Sequence, residues 1–444
     1  MSEIPQSVAA PETPTESWAF GSRLARLAST RESTVALGAL GITALHIADD
    51  SFLHPEPGTS ASDHLPSGLI PLAAVAVAVV AYRRSRAGIR ATIALVVGLL
   101  ALVIGVTSAG YDAYTVGPSG DDYTGLLAIP AGLLLIGLGV RTLWRSRRLD
   151  DRLWRRYLRR ALLAVAGLVV GVQILGGVAF GYGSTHVMRQ YVPTANLGAS
   201  HEDVSFTTSD GLQLEGWYIP SRNGAAVIAF PGRSGPQRHA RMLARNGFGV
   251  LLFDRRGEGE SEGDSNLFGW GGEKDIHAAV DFLRSRRDVE AGRIGGIGFS
   301  VGGELMLQAA AQADGLAAIV SDGAGTRTLS EDLQDIPSPG RWIGFPFLAT
   351  KTAAVALFSN SAPPPKLTDL VPRIAPTPLL LIWAPSSGGE DMNPAYYRLA
   401  GRPKAIWAIP EAGHTQGISA RPKEYERRVV EFFERALLSK GEGR

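Results

Sequence analysis

One serine stands where the chain is best placed to make a nucleophile. Ser300 lies in Gly298-Phe299-Ser300-Val301-Gly302, a G-x-S-x-G pentapeptide. The apolar run 294–299 before it reads as a short buried strand, and 301–311 after it has helical spacing and helix-forming residues. A strand that turns sharply into a helix lifts a serine hydroxyl above the end of a sheet, and flanking glycines leave room for the chain to approach itself. The helix start would then aim free amides, first that of Val301, at negative charge developing on a carbonyl oxygen. The plainer alternative is a glycine-rich strand end with an incidental serine.

Composition limits what else the chain can do. Its 444 residues change character near residue 190, so two parts are expected. The formal charge is +2, with no global basic field that would suggest nucleic acid as a partner. There is no cysteine, which excludes disulfides, thiolate metal sites and a cysteine nucleophile. Residues 1–32, rich in Pro, Ser, Thr and Glu, read as a disordered tail rather than a secretory signal.

The segment 33–185 reads as a transmembrane domain of about five spans, at 33–48, 67–82, 91–109, 124–140 and 161–182. Its loops alternate in charge. Those at 49–66 and 111–123 are acidic and hold no Lys or Arg, whereas 82–90 holds four arginines and 141–160 holds nine. The positive-inside bias places the arginine loops in the cytoplasm, and an odd number of spans then delivers the rest of the chain to the outer face. The last four apolar stretches hold no Asp, Glu, Lys, Arg or His, which speaks against an ion pathway and for an anchor. The fifth contains Gly167-x-x-x-Gly171 and Gly177-x-x-x-Gly181, spacings that suit close helix packing within one chain or between two copies of it.

After a linker at 186–202 the pattern changes to strands alternating with helices, which implies a mostly parallel sheet covered on both faces. VSFTTSDGLQLEGWYIP reads as a hairpin turning at Ser-Asp-Gly, and AAVIAFPG, GVLLFDRRGEGES, the Ser300 strand, GLAAIVSDG, TPLLLIWAP and KAIWAIPEAGH follow as strands.

This order, with GFSVG, FPGRSG, FDRRGEGES and PEAGHT in sequence, resembles the α/β-hydrolase superfamily of serine hydrolases over residues 203–440. The resemblance implies an α/β-hydrolase fold and a triad in the chain order serine, acid, histidine. His414, after the turn Glu411-Ala412-Gly413, takes the place of the family's base; His239 and His277 sit on helices and read as structural. The acid should follow the LLLIWAP strand, where Glu390 and Asp391 are adjacent. A proline four residues on selects Glu390, and Asp322, after the preceding strand, is a third candidate. Backbone amides of Val301 and Arg233 would form the oxyanion hole, and Asp254 reads as a turn-forming structural residue. Residues 326–372 stand where the family often inserts a cap. Their Trp342, Phe345, Phe347 and Phe358 suit a lid, a surface leaning on the bilayer, or a packed connection.

The function implied is hydrolysis of a small-molecule carboxylic ester through an acyl-enzyme, with no cofactor and no metal, beside a lipid bilayer. A peptidase or acyltransferase of the same fold, and a catalytically silent binding module, are the alternatives that the residues leave open.

Overall fold

The computed structural model describes residues 16–110, 113–114, 117–145, 153–187, 189, 191–312 and 315–438. Helix α1 (Glu16–Ala48) already begins inside the segment expected to be an unstructured tail, whose first fifteen residues lie outside the described part. The run FGSRLARLASTRE is rich in helix formers and continues without a breaker into the first span. Then come α2 (Leu65–Arg84), α3 (Ala87–Gly105), α4 (Asp122–Arg145) and α5 (Leu153–Val170), which passes through a π-helical turn (Gly171–Leu175) into α6 (Gly176–Thr185). Five of the resulting helices are long and apolar enough to span a membrane: Arg31–Leu53, Leu65–Arg84, Ala87–Gly105, Asp122–Arg145 and Tyr157–Thr185.

The C-terminal half is one eight-stranded sheet in the order β1-β2-β4-β3-β5-β6-β7-β8. The hairpin is β1 (Glu202–Thr207) and β2 (Gln213–Ile219), antiparallel to each other, and β2 is in turn antiparallel to β4. All other pairings are parallel. Strands β3 (Ala226–Phe230), β4 (Gly249–Phe253), β5 (Ile294–Phe299) and β6 (Ala318–Asp322) are buried at every position, because helices cover both faces of the sheet. Helices α7 (Gln237–Arg245), α8 (Glu273–Ser285) and α9 (Val301–Gln312) follow β3, β4 and β5 in turn.

The expected cap contains α10 (Leu329–Asp335), α11 (Gly340–Phe358) and the short α12 (Leu367–Leu370), before β7 (Leu379–Trp383), α13 (Asn393–Leu399), β8 (Lys404–Ala408), α14 (Gly417–Ala420) and α15 (Pro422–Phe433). Helix α11 lies along α6, the last turns of the fifth span. Gly177 and Gly181 make this approach possible: a Cβ at Gly177 would stand 2.9 Å from the Phe347 carbonyl oxygen, and one at Gly181 2.5 Å from Ala354 Cβ. The second glycine pair of this helix therefore packs within the chain, while a Cβ on Gly167 or Gly171 would meet nothing beyond its own helix within 4 Å among the described residues. Within 326–372, helix α11 packs on α6, and Trp342 and Ile343 stay 74% and 67% exposed at the start of α11.

The linker is also tied down. Val187 N–H donates to Ser265 Oγ at 3.0 Å, Leu267 N–H to the Ser184 carbonyl at 2.8 Å, and Arg189 pairs with Glu56 at 2.9 Å. These bonds join the ends of the apolar helices and the linker to one another and to the loop after β4.

Candidate active site

Strand β5 is central, flanked by β3 and β6, and its end delivers Ser300 directly to α9. The turn is tight enough to force Ser300 to φ 53°, a left-handed conformation that costs an L-residue about 1–3 kcal/mol. Three backbone bonds offset that cost. Ser300 N–H donates to the Asp322 carbonyl at 2.9 Å, and the Ser300 carbonyl accepts from Gly303 N–H at 2.8 Å and Glu304 N–H at 3.2 Å. At roughly 0.5–1.5 kcal/mol each, they suffice. The pentapeptide glycines answer a steric demand: a Cβ on Gly298 would lie 2.1 Å from the Gly302 carbonyl oxygen, and one on Gly302 2.5 Å from that of Phe230.

Three side chains from three distant segments meet at this point. His414 Nε2 is 2.8 Å from Ser300 Oγ, and His414 Nδ1 is 2.6 Å from Glu390 Oε1. Glu390 is 1% exposed, and its carboxylate is held in place by Ala384 N–H at 2.7 Å on Oε2 and Ser387 Oγ–H at 3.0 Å on Oε1. The His414 side chain is 46% exposed, so the serine can be reached from solvent. The hydrogen bond to Glu390 raises the His414 pKa above its ordinary value, against the smaller opposing effect of burial.

The competing acids are elsewhere. Asp391 is exposed. Asp322 is buried and its carboxylate accepts Tyr425 O–H at 2.7 Å; burial pushes it up to about 7. Its contribution to the turn is its backbone carbonyl. His239 is buried against Phe299 with ring centroids 4.1 Å apart, and burial pushes it down to about 3. His277 Nε2 lies 3.3 Å from the Ala309 carbonyl and takes no part in the Ser300 cluster among the described residues.

The two oxyanion amides fare differently. Val301 is the first residue of α9, so its N–H has no carbonyl partner one turn back. The Arg233 N–H is committed elsewhere: it donates to Asp254 Oδ1 at 2.9 Å. The Arg233 guanidinium also holds Asp254 Oδ2 (2.6 and 2.8 Å) and Glu260 (2.8 Å). An amide aimed at a buried carboxylate is not aimed at the space above Ser300, which corrects the expectation for Arg233. The pattern FDRRGEGES marked Asp254 as structural but did not show that it reaches back 21 residues to take this amide.

Sheet order, strained serine turn and the segments that meet there give the C-terminal half of the chain an α/β-hydrolase fold. Residues 189–367 match the family model of the X-Pro dipeptidyl-peptidases (S15 family). The chain is 29% identical to the uncharacterized protein YfhR of Escherichia coli K12 over 257 residues, 54% of this chain and 82% of that one. It is 28% identical to the uncharacterized protein Rv2307c of Mycobacterium tuberculosis H37Rv, over 50% of this chain and 76% of that one. The solved esterase Pf2001 of Pyrococcus furiosus aligns with a TM-score of 0.46 and 24% identity, covering 56% of this chain and 98% of that one.

Splitting the acidic pair tests the geometry. Glu390→Gln is expected to lower turnover of an activated ester by roughly a thousand- to ten-thousand-fold, whereas Asp391→Asn stays within about twofold. A base must be neutral to act, so activity rises with pH through the His414 pKa. Loss of the carboxylate that raises this pKa moves the acidic limb of residual kcat/KM to lower pH. An unmoved limb, or a crippled Asp391→Asn enzyme, would reject Glu390 as the partner of His414.

Proposed function

We propose that this chain is a membrane-anchored serine hydrolase of carboxylic esters. The observation that carries the reading is the bridge made by one imidazole, from Ser300 Oγ at 2.8 Å to a buried carboxylate at 2.6 Å. In this reading Ser300 Oγ attacks the ester carbonyl carbon while His414 Nε2 takes its proton. Glu390 holds Nδ1–H and stabilises the imidazolium. The Val301 amide donates to the oxyanion. Collapse of the adduct breaks the C–O bond, and His414 returns the proton to the departing alcohol. Water, deprotonated in turn by His414, then releases the acid and restores the serine.

The match of residues 189–367 to a peptidase family favours a second reading, in which the bond broken is an amide after proline. One pair of assays separates the two. Ser300→Ala is expected to lower hydrolysis of a short p-nitrophenyl ester about ten-thousand-fold or more with the melting temperature preserved. Retention of more than a tenth of wild-type turnover would reject the serine. A higher kcat/KM on an Xaa-Pro p-nitroanilide than on the ester would replace the ester reading by the peptidase one.

The side of the membrane belongs to the proposal too. The one-sided arginine loops support a hydrolase domain outside the cytoplasm. With no native cysteine, an introduced one is the only thiol. Impermeant maleimide applied to intact cells should label Ser285→Cys, on the exposed end of α8, and spare Ser146→Cys in the second arginine loop. Labelling of Ser146→Cys alone would invert the topology.

A further inference from the structure

Helix α11 runs beside the last turns of the fifth apolar helix in a register fixed by close contacts. A Cβ on Gly176 would stand 3.8 Å from Phe347 Cε2, one on Gly177 2.9 Å from Thr350 Cβ, and one on Gly181 2.5 Å from Ala354 Cβ. At the far end the Phe358 and Tyr182 rings are 5.1 Å apart. Residue numbers rise together along the two helices, so they are parallel, and the start of α11 points back towards the middle of the apolar helix. There α11 meets the π-helical turn Gly171–Leu175. Trp342 and Ile343 come level with that turn, about 15 Å back from Tyr182 at about 1.5 Å per residue.

The apolar helix Tyr157–Thr185 is 29 residues long. At the same rise it measures roughly 43 Å, the thickness of a bilayer with its headgroups. The turn 171–175 is near its middle. Val169, Val170, Val172 and Ile174 stay exposed around that turn, an apolar surface that water covers poorly and lipid chains cover well.

The hydrolase domain adds to this patch. Among the described residues of 203–438, the large apolar side chains that stay exposed are Leu267, Trp342, Ile343, Phe345 and Leu399. Three of them open α11, and Leu267 N–H bonds the Ser184 carbonyl at the end of the apolar helix. A water-facing domain scatters such residues singly, whereas these gather at the level of the exposed valines. The tip 336–348, IPSPGRWIGFPFL, holds one charge, Arg341, whose long stem lets the guanidinium reach up to the headgroups. The acids of α10 all precede the tip. Two of them bond inwards, Glu331 to Thr368 N–H at 3.0 Å and Asp332 to Lys351 at 2.9 Å.

Irregular backbone is costly among lipid chains, because an unpaired amide finds no water to bond. The connection between α10 and α11 limits that cost. Pro337 and Pro339 have no N–H, and their carbonyls accept the first amides of α11. Pro337 accepts from Arg341 at 3.3 Å, and Pro339 from Trp342 at 3.1 Å and Ile343 at 3.4 Å.

We infer, on the reading of Tyr157–Thr185 as a bilayer-crossing helix, that the α10–α11 hairpin is a re-entrant membrane element of the hydrolase domain. Its tip lies below the headgroups, with Trp342, Ile343 and Phe345 among lipid acyl chains. Lipid is the partner rather than a second copy of this chain, because on that reading lipid already covers Val169, Val170 and Val172 at the same level. The base of the hairpin starts beside His414: a Cβ on Gly323 would stand 3.3 Å from His414 Cε1. A short stretch of chain therefore runs from the Ser300 cluster into the bilayer.

The test again uses the absence of native cysteine. Trp342→Cys and Phe345→Cys are each labelled with a bimane fluorophore in the full chain and reconstituted in phosphatidylcholine vesicles. Val169→Cys on the apolar helix reports lipid, and Ser285→Cys on the exposed end of α8 reports water. Lipid carrying a nitroxide on its acyl chain is expected to quench both α11 labels about twofold or more, as it does the Val169→Cys label. Iodide, present on both sides of the vesicle, should quench only the Ser285→Cys label. Iodide quenching of the α11 labels, with Val169→Cys quenched by lipid, would overturn the hairpin and leave the membrane reading standing. Protection of the α11 labels from both quenchers would put protein on the patch and overturn it as well. No lipid quenching at Val169→Cys would overturn the membrane reading, and the hairpin with it. Should one α11 variant fail to fold, the other decides.

Discussion

The structure depends on one strained residue. Ser300 is an L-amino acid held at φ 53° between a central strand and a helix, and the surroundings are arranged so that it cannot relax. Gly298 and Gly302 let the chain fold over itself, and the carbonyl of Asp322 on the neighbouring strand pins the serine amide. The strain leaves the hydroxyl proud of the sheet edge, where a histidine arriving from beyond β8 can reach it. Without the parallel register of β3, β5 and β6, neither the pin nor the clearance would exist.

A second constraint ties this domain to the membrane helices. The loop after β4 works at both ends. Near its start Asp254 holds Arg233 and so shapes the chain beside the serine; near its far end Ser265 and Leu267 bond to the last span. Helix α11 adds a glycine-mediated contact with that same span. The hydrolase domain is therefore bonded directly to the end of the last apolar helix, and a buried ion pair and that contact share the stretch 254–267.

Legibility followed the range of the forces. Ser300 was readable because its demands are local: apolar strand, glycine spacing and helix start lie within a few residues. The five apolar helices were readable because length and composition alone define them. The strand order and the candidate partners of the serine came through a family pattern, and Glu390 over Asp391 through one proline. What the sequence hid was long-range. The Arg233 amide looks free in the sequence because nothing nearby competes for it, yet Asp254 reaches it from the end of the neighbouring strand. The role of 326–372 stayed open because an apolar helix can pack on a lid pocket or on a membrane span with the same composition.

The central claim is that Ser300 becomes acylated. It is tested most directly by mixing the full chain with an activated short ester, quenching in acid within the first turnover, and mapping the peptides by mass spectrometry. The account predicts one acyl group, carried by the peptide containing Ser300 and formed no more slowly than product appears. Steady product formation with that peptide unmodified, or an acyl group on another side chain, would contradict it.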